Sequence, residues 1–131
     1  MSFVHLHVHT EFCDGRATAE EMVKAAIALG CPRIGLSSHA PMPYGDYAMA
    51  AEREADYRRE VLRLRAAYRE KIEVLLGLEV DLWSLPFPRE EYDYIIGSCH
   101  SLSPLHDGAR VDVDGPADEL FAAIERDFGG D

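Results

Sequence analysis

Cysteine is scarce and poorly placed for a framework. The chain has three, Cys13, Cys31 and Cys99, an odd number with no CxxC pair. That excludes a disulfide scaffold, and scattered thiols suit a reducing compartment. Basic residues are few as well: 13 Lys and Arg stand against 24 Asp and Glu, for a net charge of −11. Affinity for a nucleic-acid backbone rests largely on neutralised phosphates, so no nucleic-acid partner is expected. A local metal-lined pocket stays compatible with the charge, because bound cations reverse the field around them. No apolar run reaches the ~18 residues of a membrane span. Residues Met1 to His5 lack the basic and apolar regions of a secretory signal. The expectation is a soluble, cytoplasmic protein with no membrane partner. Repeats, linkers and low-complexity tracts are absent too. Finally, 131 residues fall short of a complete (β/α) barrel, which takes ~200 or more.

What is present is a globular composition, 47% apolar and 28% charged, fit for one small domain. Residues 3–9 alternate strictly. Phe3, His5, His7 and His9 fall on one face of a strand, and Val4, Leu6 and Val8 on an apolar back. Asp14-Gly15 marks a turn. Thr18, with Glu21 three residues on, makes a capping box. The helix it opens runs to about Leu29 on a stripe of Met22, Val23, Ala26 and Ile27, and Gly30 stops it. Pro32 to His39 reads as a second strand and Ala40 to Gly45 as a loop. A long helix, broken near its start, spans about Tyr47 to Lys71, with Tyr57, Val61, Leu64 and Tyr68 at helical spacing. Ile72 to Asp81 and Tyr94 to His100 read as further strands, Ser101 to Gly115 as a polar connection, and Ala117 to Phe128 as a last helix. The order β-α-β-α-β-β-α argues an α/β fold with a parallel sheet and crossover helices.

Such sheets gather reactive groups at the carboxyl ends of their strands. Here the strands end in His7 and His9, His39, Glu79 and His100, so all would meet at one rim. His7 and His9 lie about 6–7 Å apart at period two, close enough to share one ion, and neutral imidazole is a common metal ligand. The pair alone describes core histidines equally well. His5 fits a strand position farther from the rim. Glu79 lies in the apolar run Leu75 to Val80, where a carboxylate is costly unless paired or metal-bound. Taken singly, it would be a solvent-facing strand end, His39 and His100 ordinary strand ends, and Asp14 a turn residue. Together the six form a cysteine-free His/carboxylate cluster. That composition suits divalent ions such as Zn²⁺, Mn²⁺ or Fe²⁺ held for hydrolysis, with a carboxylate bridging two ions about 3.5–4 Å apart. Cys13 and Cys99 read as small packing residues. Arg53, Arg58, Arg59, Arg63, Arg65 and Arg69 read as a solvated helix face with i,i+4 pairs. Met42 and Trp83 lie in loops near the rim, where they would either wall a pocket or only cover the end of the sheet.

The segment His7-Val8-His9-Thr10-Glu11-Phe12-Cys13-Asp14-Gly15 resembles the first motif of the PHP (polymerase and histidinol phosphatase) superfamily. Leu36-Ser37-Ser38-His39-Ala40-Pro41-Met42-Pro43 resembles the second, and its Ala40-Pro41-Met42-Pro43 is similar to the histidinol-phosphatase branch. Gly77 to Asp81 and Tyr94 to Leu102 resemble the third and fourth motifs, and Val113 to Pro116 a segment that follows. The resemblance runs from about residue 4 to the end of the chain. It implies the amino-terminal part of a distorted (β/α)₇ barrel with up to three divalent metal ions. It also implies hydrolysis of L-histidinol phosphate to L-histidinol and phosphate, a late step of histidine biosynthesis. Carried over by position, His7 and His9 bind a first metal, Glu79 bridges the first and second, His100 binds the second, and His39 with Asp14 binds the third. Glu79 is then the catalytic carboxylate, and the nucleophile is a metal-bound hydroxide attacking phosphorus in line.

Two positions depart from the family pattern. His5 stands where an Asp usually precedes the HxH pair, and Ser38 where an Asp often precedes the second-motif histidine. Both are outer positions that would tune metal affinity. Family members are also considerably longer. Their later histidine and their carboxyl-terminal Asp and His ligands have no counterpart here, and His106-Asp107 falls in a connecting loop. The expectation is thus a single partial PHP domain over residues 1–131. It would be a fragment, a chain completed by self-association or a complementing chain, or an open half-barrel. Three functions follow: a histidinol-phosphatase-type phosphomonoesterase, a PHP phosphoesterase acting on another small phosphoester, or a non-catalytic metal-binding or interaction fragment.

Overall fold

The capping box at Thr18 is formed. Thr18 N–H donates to Glu21 Oε2 at 2.8 Å, and Glu21 N–H donates to Thr18 Oγ1 at 3.2 Å. It opens helix α1 (Ala19–Ala28), and Gly30 leaves the helix in the left-handed region, with φ of 71°. The computed structural model describes residues 3–102 and 108–130; His106 and Asp107 lie outside them. The chain divides into two compact units, Met1–Gly97 and Ser98–Asp131.

In the first unit, strands β1 (Val4–His5), β2 (Arg33–Leu36), β3 (Glu73–Asp81) and β4 (Tyr94–Ser98) form a sheet in chain order. β4 ends one residue into the second unit. The strands are parallel, with register Val4↔Arg33 and Leu36↔Leu76. Helix α1 links β1 to β2, and helix α2 (Glu54–Tyr68), preceded by a 3₁₀ turn at Ala51–Arg53, links β2 to β3. Period two sends Ile34 and Leu36 of β2, and Val74, Leu76 and Leu78 of β3, to the helix side of the sheet. All five are buried in one core with Val23 and Ala26 of α1 and with Tyr57, Val61 and Leu64 of α2. Each buried aliphatic side chain there contributes about 1.5–3 kcal/mol. On the other side Gly35 and Gly77 leave room for the Tyr94 ring, whose hydroxyl donates to Leu6 O at 2.6 Å. The arginines of α2 pair with acids as expected, Arg58 with Glu54 and Arg63 with both Glu60 and Glu20.

The second unit contains an antiparallel pair, β5 (Ser101–Leu102) with β6 (Val111–Asp112), followed by helix α3 (Ala117–Phe128). The stretch 101–115 therefore carries a short two-stranded element as well as a connection. Among the described residues, no helix is long and apolar enough to cross a membrane.

One local expectation fails. The alternation of residues 3–9 suggests a single strand with Val4, Leu6 and Val8 behind it, but β1 ends at His5. Beyond it the side-chain alternation lapses. His5 and Val8 both line an apolar cleft with Met22, Ala26 and Ile34, while Val4 and Leu6 are exposed. The reason lies in the ladder. Past His5 the chain is held by Ser37, whose N–H donates to Val8 O at 2.9 Å and whose Oγ accepts from Val8 N–H at 3.2 Å.

Candidate metal centre

β2 and β3 deliver two of the side chains directly. After a break in the ladder at residues 37 and 38, the strands meet again in a single parallel bridge, His39↔Glu79. Ala40 N–H donates to Glu79 O and Glu79 N–H to Ser38 O. This pins both residues, side by side, at the carboxyl-terminal ends of their strands. His7 and His9 arrive from the segment after β1, and both reach the Glu79 carboxylate.

The result is a carboxylate oxygen ringed by imidazoles. Glu79 Oε2 lies 3.0 Å from His7 Nε2, 2.9 Å from His9 Nε2 and 3.1 Å from His39 Nδ1. Glu79 itself is 3% exposed, whereas the His7 side chain is 52% exposed, so the cluster is closed at its base and open at its rim. Burial pushes the Glu79 carboxyl up, but the His7 hydrogen bond and the surrounding imidazoles outweigh it and hold the pKa below the usual carboxylate range. The imidazoles stack edge to face, His9 on His39 with ring centroids 4.4 Å apart. Tyr47 packs edge to face on His39 with ring centroids 4.8 Å apart.

A second acid closes the other flank. The loop at Asp14 folds back so tightly that a Cβ on Gly15 would lie 2.4 Å from Thr10 N. Only glycine permits that approach. Asp14 Oδ1 thereby reaches 2.8 Å from His9 Nδ1, and Oδ2 lies 3.9 Å from His39 Nε2. The Cys13 thiol beside it and the Asp14 carboxylate raise His9 to about 9, against the opposing pull of burial. Burial raises Asp14, and its bond to His9 outweighs that and brings it below the usual range.

These residues fit a divalent cation. His7, His9 and Glu79 offer donor atoms within 4.8 Å of one another, and so do His9, Asp14 and His39. Ligands about 2.1 Å from an octahedral ion stand about 3.0 Å apart along each edge of the octahedron. The N···O separations around Glu79 Oε2 match that edge. His9 Nε2 is buried and makes no aligned hydrogen bond, although Glu79 is within reach. With Nδ1 donating to Asp14, Nε2 turns a lone pair toward a carboxylate oxygen, an arrangement that a cation between them would satisfy.

The other sequence expectations sort as follows. His100 belongs to the second unit, where its carbonyl accepts from Val113 N–H at 2.8 Å. His5 lies away from the cluster, in the apolar cleft. Cys13 packs partly against the core as expected, but Cys99 is exposed and is no packing residue. The loops that carry Met42 and Trp83 are joined, Leu85 N–H donating to Pro41 O at 2.7 Å, next to His39 and Asp81. Tyr47 was not legible as a neighbour of His39: the sequence suggests that a long helix begins there, but helical turns start only at Ala51 and Tyr47 lies in a turn before them. Asp81 is buried two residues beyond Glu79 and accepts from Trp83 N–H. Its short-range partner explains it as the anchor of the loop after β3.

Comparison with known proteins agrees with this geometry. The model of the PHP domain family matches residues 5–126. A Deinococcus radiodurans protein that carries the name histidinol-phosphatase is 31% identical over 95% of this chain and 49% of its own length. A crystal structure from Listeria monocytogenes superposes with TM-score 0.74 at 23% identity, over 98% of this chain and 55% of that one, which establishes the fold. The histidinol phosphate phosphatase of Lactococcus lactis, solved with zinc, L-histidinol and phosphate, superposes with TM-score 0.61 at 25% identity, over 76% of this chain and 41% of that one. The chain thus spans about half the length of the curated relative, and the four parallel strands with their helices match part of a (β/α) barrel.

Proposed function

Because the chain belongs to the PHP domain family, we propose that it carries the metal centre of a phosphomonoester hydrolase of the histidinol-phosphatase type, converting L-histidinol phosphate and water to L-histidinol and phosphate. The observation that carries this reading is the convergence of His7, His9 and His39 on one oxygen of the buried Glu79. In this reading His7 and His9 hold a first divalent ion, Glu79 bridges it to a second that His100 also binds, and His39 with Asp14 holds a third. The ions are Zn²⁺, Mn²⁺ or Fe²⁺. Bound there, they supply Lewis-acid neutralisation of phosphate oxygens and lower the pKa of water.

The chain's own side chains do the rest. Glu79 is the catalytic carboxylate: buried at the base, it presents Oε2 to all three imidazoles. His7, at the open rim, marks the side from which a phosphate ester reaches the centre. Asp14 uses Oδ1 to orient the His9 ring through Nδ1, leaving Nε2 to face Glu79, a bond to the second ring nitrogen that sets a ligand's tautomer, while its Oδ2 lies on the His39 side for the third ion. Residues 1–131 are read as a single partial domain, since the family match crosses both compact units. A place in histidine biosynthesis and a cytoplasmic setting belong to the same reading, supported by the Deinococcus and Lactococcus relatives and the free thiols.

The test is elemental analysis of the purified chain, with phosphate release measured on the same sample from L-histidinol phosphate and from a panel of other small phosphomonoesters. Bound metal with turnover selective for histidinol phosphate is expected. Turnover of another ester moves the assignment to a different PHP phosphoesterase. Absence of bound metal removes the basis of the reading. Bound metal without turnover gives the non-catalytic alternative.

A further inference from the structure

Helix α2 sends one polar side chain into the core under the cluster. Tyr57 is fully buried. Its hydroxyl accepts from Ser38 N–H at 3.3 Å and lies 2.7 Å from Leu36 O and 2.8 Å from Gly77 O, the two carbonyls to which it can donate. The β2–β3 ladder ends at Leu36↔Leu76 and resumes only at His39↔Glu79. One hydroxyl therefore sits where the two strands part, bonded one residue before His39 and two residues before Glu79. The same ring packs edge to face on Phe12 at 5.4 Å, in the loop that carries Asp14. Tyr57 thus touches the segments that carry Asp14, His39 and Glu79, through Phe12, through Leu36 and Ser38, and through Gly77. Ser38 is gripped from the other side as well, its Oγ lying 3.1 Å from the Oγ1 of the buried Thr10, next to His9.

We propose that the buried hydroxyls of Tyr57 and Thr10 are positioning groups for the metal centre: they clamp Ser38 and hold the β2–β3 opening, so that His39 and Glu79 keep their spacing to His9. This rests on the metal-centre reading above. The chemistry is restrictive. A hydroxyl has one proton and two lone pairs, so it can satisfy a backbone donor and a backbone carbonyl at the same point. A phenylalanine ring fills the same volume and satisfies neither. Buried backbone groups are rarely left unpaired, so without the hydroxyl the strands close up or shift to find new partners. Either movement displaces the residue after Ser38 or the one two places after Gly77, which are His39 and Glu79. Ligand positions tolerate only about 0.5 Å of such movement.

The experiment compares the full chain with Tyr57→Phe, Thr10→Val and Val61→Ala. Val61 is a buried neighbour on the same helix whose truncation loosens packing without touching a hydroxyl. Zn²⁺ affinity is measured by calorimetry, and the visible d–d bands of the Co²⁺-loaded chain report ligand geometry. Expected are a loss of Zn²⁺ affinity of roughly 10–100-fold in Tyr57→Phe, the size seen for outer groups that orient ligands, and an altered Co²⁺ spectrum. Val61→Ala should melt earlier with affinity and spectrum unchanged. Wild-type affinity and spectrum in Tyr57→Phe would overturn the inference, as would an equal loss in Val61→Ala, which would mean general loosening. If Tyr57→Phe fails to fold, Thr10→Val decides: weaker Zn²⁺ binding with a native circular dichroism spectrum supports the clamp, and unchanged binding overturns it. A wild-type chain that takes up neither metal overturns the metal centre itself, a result distinct from either of these.

Discussion

An alanine at Gly77 should destabilise the first unit, and the amount can be worked from contacts. A Cβ there would stand 2.2 Å from Tyr94 Cζ and 2.5 Å from its Oη. Neither atom can give way alone, because both belong to a rigid ring. The ring must leave the face of the sheet, and its hydrogen bond to Leu6 O goes with it. Overpacking of this kind costs about 1–3 kcal/mol, and the lost hydrogen bond about 0.5–1.5 kcal/mol. Alanine also restricts the unfolded chain, which offsets about 0.4–1 kcal/mol. The net is about 2 kcal/mol, or roughly 6–10 °C in melting temperature for a chain of this size. The assay is a thermal melt followed by fluorescence of Trp83, the only tryptophan, which lies in the first unit. Repeating Gly77→Ala in a Tyr94→Ala background removes the clash, so there the substitution should be neutral or slightly stabilising. The same penalty in both backgrounds would refute the steric account, because the penalty would then owe nothing to the ring.

Three further outcomes follow from the cluster. Glu79→Gln removes the anion on which three imidazoles converge, so metal retained after gel filtration should fall to near zero; full stoichiometry by elemental analysis would contradict the assignment. His5→Ala should change Zn²⁺ affinity by no more than about twofold, well short of the ~10–100-fold of an orienting group, because His5 lines the apolar cleft; a tenfold loss would place it in the centre. In the metal-free chain His9 is raised to about 9, first by the Cys13 thiol. Since that lies above its ordinary 6.5, its contribution to stability is complete below pH 6.5 and fades as pH climbs through 9. Cys13→Ser should lower the His9 midpoint in an NMR titration by about one unit or more, and an unmoved midpoint would show that Cys13 is not the cause.

The elements were readable where local chemistry decides them. Thr18 and Glu21 announce α1, and Ala117 to Phe128 become α3 at the bounds the sequence suggests. Glu79 and His39 were legible too, because strand ends in a parallel sheet share one rim. The failures have physical causes. The alternation of residues 3–9 assumes a continuous ladder, but Ser37 captures Val8 and releases the phase, a contact 29 residues distant. His7 and His9 still reach Glu79, although the strand that precedes them is only two residues long. Tyr57 looked like one more member of a helical stripe. Its hydroxyl has meaning only beside Leu36 O and Gly77 O, which no periodicity reveals. The β5–β6 pair was invisible because two-residue strands carry no pattern.

The strong acidity of the chain sharpens what the cluster must do. At −11 overall, the mean field repels a phosphate ester. Charges more than about 8 Å away are largely screened at physiological ionic strength, so the local count governs. Among the candidate ligands of the first unit that count is two carboxylates, Glu79 and Asp14, against three imidazoles. Metal ligation requires the imidazoles neutral, which leaves the cluster at −2 before any cation is added. One divalent ion brings it only to zero; a second makes it cationic. The donor set therefore suits phosphate chemistry only with more than one ion present, and its two separate carboxylates, Glu79 beside His7 and Asp14 beside His39, would give each of two ions an acid.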